Sequence, residues 1–153
     1  IARRCPEIHF DVIGRVDLQM KSVVEALAKE PNVKLNNAYV TDDEMKEAFV
    51  HCDWVIVPYN SASQSGIIID AYKYSRPVIA FAVGAIPEQV EAGKSGYLVE
   101  AKNNEEFAIT LKNAMNLSKR KYDMMSQQAY AYGSKKYAAN GAAERFIDLI
   151  EGK

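Results

Sequence analysis

Residues 61–66, Ser-Ala-Ser-Gln-Ser-Gly, set three hydroxyls, an amide and a glycine directly ahead of an apolar stretch of helical character. Small side chains let a ligand reach the main chain, and the unpaired N–H groups of a helix start, with the helix dipole behind them, attract an anion such as phosphate. Ser63, Gln64, Ser65, Gly66 and Ile67 are therefore candidate phosphate-binding residues, although the same types also suit a plain helix cap. Asp70 follows Gly66 by four residues, one turn on and on the same helix face. A carboxylate there can accept hydrogen bonds from both hydroxyls of a ribose; the alternative is an exposed helix acid. In a second loop, Val83-Gly84-Ala85-Ile86-Pro87-Glu88, Gly84 suits close backbone approach and Glu88 falls in the first turn of a helix. An acid in that place also balances the helix dipole with no ligand at all. A third loop, residues 37–40, places Tyr39 and Val40 where backbone groups can read the edge of a base.

Other chemistries lack their residues. His9 lies in an alternating stretch and His51 near a helix end, neither with partners at nucleophile or metal spacing. No GxSxG elbow, Walker loop or GxGxxG after a strand is present, which removes the main support for a hydrolase, a P-loop NTPase or a dinucleotide dehydrogenase. Cys5 and Cys52 show no CxxC spacing and read as free, buried thiols in a reducing compartment.

These loops need a scaffold, and the hydrophobic pattern supplies one. Residues 8–14 alternate and then run apolar into Gly14, as a buried strand does. Met20, Val23, Val24, Leu27 and Ala28 recur at helical spacing, and Pro31-Asn32 closes that segment. Val33 to Leu35 is a short strand. Thr41-Asp42-Asp43-Glu44 has the form of a capping box, so a helix through Met45, Ala48, Phe49 and Cys52 follows. Residues 53–58 and 77–82 are continuous apolar runs, the mark of strands covered on both faces, with a helix at 67–74 between them. Pro87 suits the first position of another helix, and residues 96–99 form a last strand. Strand and helix alternate throughout, which predicts an α/β fold with a Rossmann-like parallel sheet flanked by helices. Ligands in such folds bind at the carboxyl ends of the strands, where all three loops fall. The rest is a helical C-terminal extension: a helix through Phe107, Leu111, Ala114 and Met115, a stretch at 122–137 rich in Tyr, Met and Ala that reads as core and interface, and a helix through Ala143, Phe146, Ile147 and Ile150.

Length and charge set the frame. The 153 residues, 48% of them hydrophobic, suit one domain spanning 1–153. Nineteen basic against twenty acidic residues leave a net charge of −1, so no global field draws the chain to nucleic acid. Lys119, Arg120 and Lys121 are the first candidates for a local basic face, and a solvated helix end is the favoured reading of them. No apolar run approaches the length of a membrane span and no signal peptide is visible, which points to the cytoplasm. Residues 1–4 read as the last turn of a helix whose body, with a strand before it, lies upstream of Ile1.

Taken in order, Val55-Ile56-Val57-Pro58, Ser63-Gln64-Ser65-Gly66, Asp70-Ala71-Tyr72, Arg76-Pro77-Val78-Ile79-Ala80, the run from Gly84 to Val90 and Gly93-Lys94-Ser95-Gly96-Tyr97-Leu98-Val99 resemble the group 1 (family 4) retaining glycosyltransferases. The likeness runs from about Pro6 to the region of Leu111. It implies the C-terminal, donor-binding half of a GT-B enzyme, with the N-terminal acceptor domain and the first strand and helix of this domain upstream. The family's Glu-x7-Glu motif falls on Ala62 and Asp70: the second acid, which holds the ribose, is kept as Asp70, and the first is replaced by Ala62. No catalytic residue is assigned for that reason. Ser75 stands where the family usually has Gly, and the basic pair for the diphosphate lies upstream.

The activity implied is transfer of a hexosyl-type sugar from a UDP- or GDP-sugar to a glycan or lipid-linked acceptor, with retention and in polysaccharide biosynthesis. Helix N–H groups at Ser65, Gly66 and Ile67 would support the departing diphosphate. The nucleotide-sugar donor, the acceptor and the protein's own N-terminal domain are the expected partners, through which the enzyme could sit peripherally on a membrane. No cofactor and no metal are expected, Asp42 and Asp43 being capping residues. The isolated domain is expected to be inactive. Two other readings stay open: a non-catalytic Rossmann-like interaction module with a decayed nucleotide site, suggested by Ala62, and a sugar-nucleotide epimerase of GT-B shape.

Overall fold

Val78, Ile79, Ala80 and Phe81 form a strand in which every side chain is buried, and the molecule is built outward from it. The computed structural model describes residues 1–137 apart from Asp17, and the helix expected at 143–150 lies outside those residues. In chain order the strands are β1 (Phe10–Ile13), β2 (Val33–Asn36), β3 (Val55–Val57), β4 (Val78–Phe81) and β5 (Gly96–Val99). The helices are α1 (Lys21–Leu27), α2 (Asp42–His51), α3 (Gly66–Lys73), α4 (Ile86–Gln89), α5 (Asn104–Met115) and α6 (Lys119–Tyr137). Short 3-10 turns at Ala2–Arg4 and Leu18–Met20 complete the set. The turn at Ala2–Arg4 sits where the sequence predicts the end of a helix.

Side chains alternate across a strand, so β4 feeds two cores. Ile79 and Phe81 join Phe10, Val99 and the α5 residues Phe107, Ala108, Leu111 and Ala114 on one face. Val78 and Ala80 join Val57, Ile68, Ala71, Tyr72, Ile86 and Val90 on the other, with Phe49 and Ala129 beyond. Helices thus cover both faces, as the alternating pattern predicts. Cys5 is fully buried in the first core, and its neighbour in sequence, the turn at Ala2–Arg4, is tied down by Asn32, whose side-chain amide donates to the carbonyls of Ala2, Cys5 and Ile8.

All strand pairs are parallel, but the ladder comes in two pieces: β1 with β2, and β3-β4-β5 in that order. Both pieces contribute to one core, since Phe10 of β1 packs with Ile79 and Phe81 of β4, and Trp54 and Ile56 lean on the same cluster. Among the described residues no ladder joins β1 to β3. Two departures from the sequence expectation accompany this arrangement. The apolar run of β3 reads as buried on both faces, yet only Val57 is buried while Val55 and Ile56 are half-exposed. In α1 the apolar residues recur at helical spacing, yet none is buried, and Val23 is 46% exposed.

The capping box forms as its sequence predicts. Thr41 accepts from the Glu44 amide, and the Glu44 carboxylate accepts from the Thr41 amide and hydroxyl. Those bonds hold the Glu44 carboxyl below its ordinary value. The Tyr-rich stretch is α6, nineteen residues long, docked on α3 through Met125, Ala129 and Gly133. Gly133 meets the ring and Cβ of Tyr72 so closely that a Cβ there would force them apart. Lys119 is exposed and paired with Asp123, which fits the solvated-helix-end reading. Among the described residues no helix is long and apolar enough to cross a membrane.

Candidate functional site

Residues 61–66 connect β3 to α3 at the carboxyl end of the strand, and the loop after β4, residues 82–85, lies against them. Two backbone contacts join these loops, and a side chain of α4 adds a third link. The Ala85 amide donates to the Ser63 carbonyl at 3.1 Å. Gly84, at φ +51°, presses its Cα against the Ala62 carbonyl so tightly that a Cβ would overlap it. Gln89, buried on α4, uses its side-chain amide twice on one residue: Oε1 accepts from the Ser65 amide at 2.7 Å and Nε2 donates to the Ser65 carbonyl at 3.0 Å. The open space beside Gly84, expected for a ligand, is therefore filled at its Cα by the neighbouring loop.

This clasp changes the expected anion cradle. Ser65 is the residue before α3, and its amide donates to Gln89, which leaves the amides of Gly66 and Ile67 of the three expected to support an anion. Gly66 and Ile67 open the helix, and no side chain caps it. The Ser65 hydroxyl, on a residue 3% exposed, has no protein partner; buried hydroxyls normally have one. Ser63, Gln64 and Gly66 are exposed around this opening, and Ile67 is half-buried.

Asp70 lies one turn into α3, half-buried, its Oδ1 accepting from Lys73 Nζ at 2.7 Å. The hydrogen bond first, and the carboxylate's charge second, raise the Lys73 ammonium above its ordinary 10.5. The carboxylate is thus at the surface of the same face as Gly66, tethered by a side chain that is itself largely exposed. Tyr39 and Val40 stand after β2, just ahead of the α2 cap. Tyr39 is 82% exposed and Val40 half-buried, and no hydrogen bond of the described residues links them to the α3 loop.

Sequence reasoning missed what fixes α4. The Gln89 carbonyl accepts from the Tyr72 hydroxyl at 3.1 Å, and that hydroxyl pairs with Ser95 Oγ at 2.9 Å. The Glu88 carbonyl accepts from Tyr132 at 2.8 Å and from Lys136, both on α6. Burial pushes the Tyr72 phenol well above its ordinary value, against the smaller opposite pull of Ser95. One signal was available: Gln89 is a polar residue on the inward face of a short helix between the buried Ile86 and Val90. A shallow hollow lined by His9, Phe10, Asp11, Asn32, Val33 and Lys34 lies at the amino ends of β1 and β2, away from these loops. Among the described residues no three His, Cys, Asp or Glu side chains gather where they could hold a metal ion.

Comparison with known proteins follows the same elements. Residues 1–116 match the family model described as glycosyl transferases group 1. No curated protein matches the sequence. Among solved structures, Alr3699/HepE of Anabaena in complex with UDP is similar over 97% of this chain and 42% of its own, with a TM-score of 0.82 at 17% identity. TarM of S. aureus is similar over 97% of this chain and 30% of its own, with a TM-score of 0.79 at 22% identity. The C-terminal domain of LpcC, a group 1 family glycosyl transferase from Francisella tularensis, is similar over 90% of this chain and 92% of its own, with a TM-score of 0.65 at 17% identity. The chain therefore spans less than half the length of the first two structures.

Proposed function

Since the chain belongs to the group 1 glycosyl transferases and has the fold of the C-terminal half of a GT-B enzyme, we propose that it binds the donor in a sugar transfer. The donor is a UDP- or GDP-linked sugar of hexosyl type, and the anomeric configuration is retained. The acceptor, a glycan or lipid-linked glycan of polysaccharide biosynthesis, belongs to another part of the full protein. That protein works in the cytoplasm or peripherally on its membrane.

One observation carries this reading: the uncapped start of α3, where the amides of Gly66 and Ile67 open beside exposed, small side chains. A diphosphate gains charge as the sugar leaves it, and fixed N–H groups with a helix dipole behind them stabilise that charge without reorganising. Asp70, on the same face, accepts from the ribose hydroxyls, and Lys73 must share it. The neighbours in complex with UDP and with UDP-glucose support a donor of this kind.

The seam in the sheet belongs to the same reading. With β2-β1 on one side and β3-β4-β5 on the other, one more parallel strand between β1 and β3 gives the six-strand order of a doubly wound nucleotide-binding sheet. That strand comes from another segment of the full protein.

Calorimetric titration of UDP and GDP into the chain tests the proposal. One of the two binds, and Asp70→Ala weakens it by about ten- to a hundredfold, the range for hydrogen bonds to a charged group. No binding of either at millimolar concentration sinks it. A second reading, the interaction module, is favoured by Ala62, whose carbonyl is covered by Gly84 and which offers no acid. Absence of transfer from every donor by the full-length protein would decide for the module.

A further inference from the structure

We infer that Gln89 is a positioning residue for the anion seat at the start of α3: by gripping both backbone groups of Ser65, it fixes which way the Gly66 N–H points. The inference rests on the donor reading above and deepens it.

The argument is one of peptide geometry. The Ser65 carbonyl and the Gly66 amide belong to one planar unit, and in a trans peptide the C=O and N–H point in opposite directions. Among the described residues no peptide bond is cis. Gln89 Nε2 draws the Ser65 carbonyl inward at 3.0 Å, so the Gly66 N–H is turned outward, to the exposed side. Gln89 Oε1 closes the second bond, at 2.7 Å to the Ser65 amide, and the two together fix the residue at φ −128° and ψ 118°. Gly66 has no Cβ and nothing packs where one would be. The Ser65 carbonyl, as the N-cap of α3, also begins the helix ladder; the clasp is a second hold on the same peptide, and its loss loosens the angle at which the Gly66 N–H is presented to the diphosphate.

Gln89 is itself held in register. It is buried, its own carbonyl accepts from the Tyr72 hydroxyl, and the preceding carbonyl, that of Glu88, is held by Tyr132 of α6. The clasp is therefore a fixed jaw, and the loop is the part that yields.

The test separates phosphate from nucleoside. UDP, uridine, GDP and guanosine are titrated into the 153-residue chain and into Gln89→Met, which keeps the bulk of the side chain and loses both bonds. The expected result is a loss of about tenfold in affinity for the diphosphate that the wild type binds, with the affinity of the matching nucleoside unchanged, because Asp70 and not the α3 start holds the ribose. A loss shared equally by diphosphate and nucleoside, or no loss at all, overturns the role. A measurement on the wild type covers the case in which the variant does not fold. By linkage the bound diphosphate must slow hydrogen exchange of the Ser65 amide and of the Gln89 side-chain amide, and the nucleoside must not; equal exchange in the two complexes also overturns it. Should neither diphosphate bind the wild type, the donor reading fails and this role with it, whereas binding with an unselective loss in Gln89→Met removes this role alone.

Discussion

Tyr72 shows how much of the candidate site depends on side chains buried beneath it. Its ring packs under Gly133 and its hydroxyl bridges Ser95 Oγ and the Gln89 carbonyl. Tyr72→Phe leaves that carbonyl without its buried donor, and we expect a loss of about 1–3 kcal/mol in denaturant unfolding. The phenol's pKa is raised in the folded state, chiefly by burial, so its contribution to stability is complete below the ordinary value of 10.0 and declines as pH rises above it. Stability of the wild type should therefore fall more steeply above pH 10.0 than that of Tyr72→Phe. A parallel slope in the two would show that the phenol stays as acidic as in the unfolded chain. At this scale the sequence is legible where local spacing alone sets the geometry, as with Gly66 and Asp70 one turn apart on α3. Gln89 is illegible because its partner is 24 residues away and the bond depends on how two loops meet.

Elements were the more readable level. The capping box, the proline-led turn of α4 and the doubly buried β4 all follow from patterns within a dozen residues, and the structure contains each. Ser75 is the informative exception. It closes α3 at φ +57°, in the left-handed region that disfavours a Cβ, where the resemblance expects Gly. Relief of that strain, about 1–2 kcal/mol, exceeds the extra unfolded-state freedom of a glycine, about 0.4–1 kcal/mol. Ser75→Gly should thus stabilise the chain by about 0.5–1 kcal/mol, read as a higher denaturation midpoint at unchanged slope. The Ser126 bond survives the change because it uses the Ser75 carbonyl, not its side chain. A lower midpoint would mean that Ser75 is held in that conformation at no cost. In α1 the periodicity was right and the burial was not, since spacing reports which face is apolar and not whether anything covers it.

For the molecule as a whole, alternation of strand and helix announced a parallel α/β fold, and the helix end read at residues 1–4 raised the expectation of a further strand, but the hydrophobic pattern did not place a break between β1 and β3, where the described ladder stops. Which strands become neighbours depends on how distant segments meet, and a local reading cannot decide it. Apolar β3 residues left half-exposed border that break. The chain contains a single tryptophan, Trp54, immediately before β3. Its indole stacks on Tyr97 at 5.7 Å, meets Tyr122 edge-on at 5.9 Å, and leans on the core shared by the two sheet pieces. The protein thus carries its own optical probe at the break. Emission from this indole should move to shorter wavelength, and become harder to quench with iodide, in a longer form of the protein whose added strand fills the seam; identical spectra in the two forms would mean that the break is a lasting feature of the sheet.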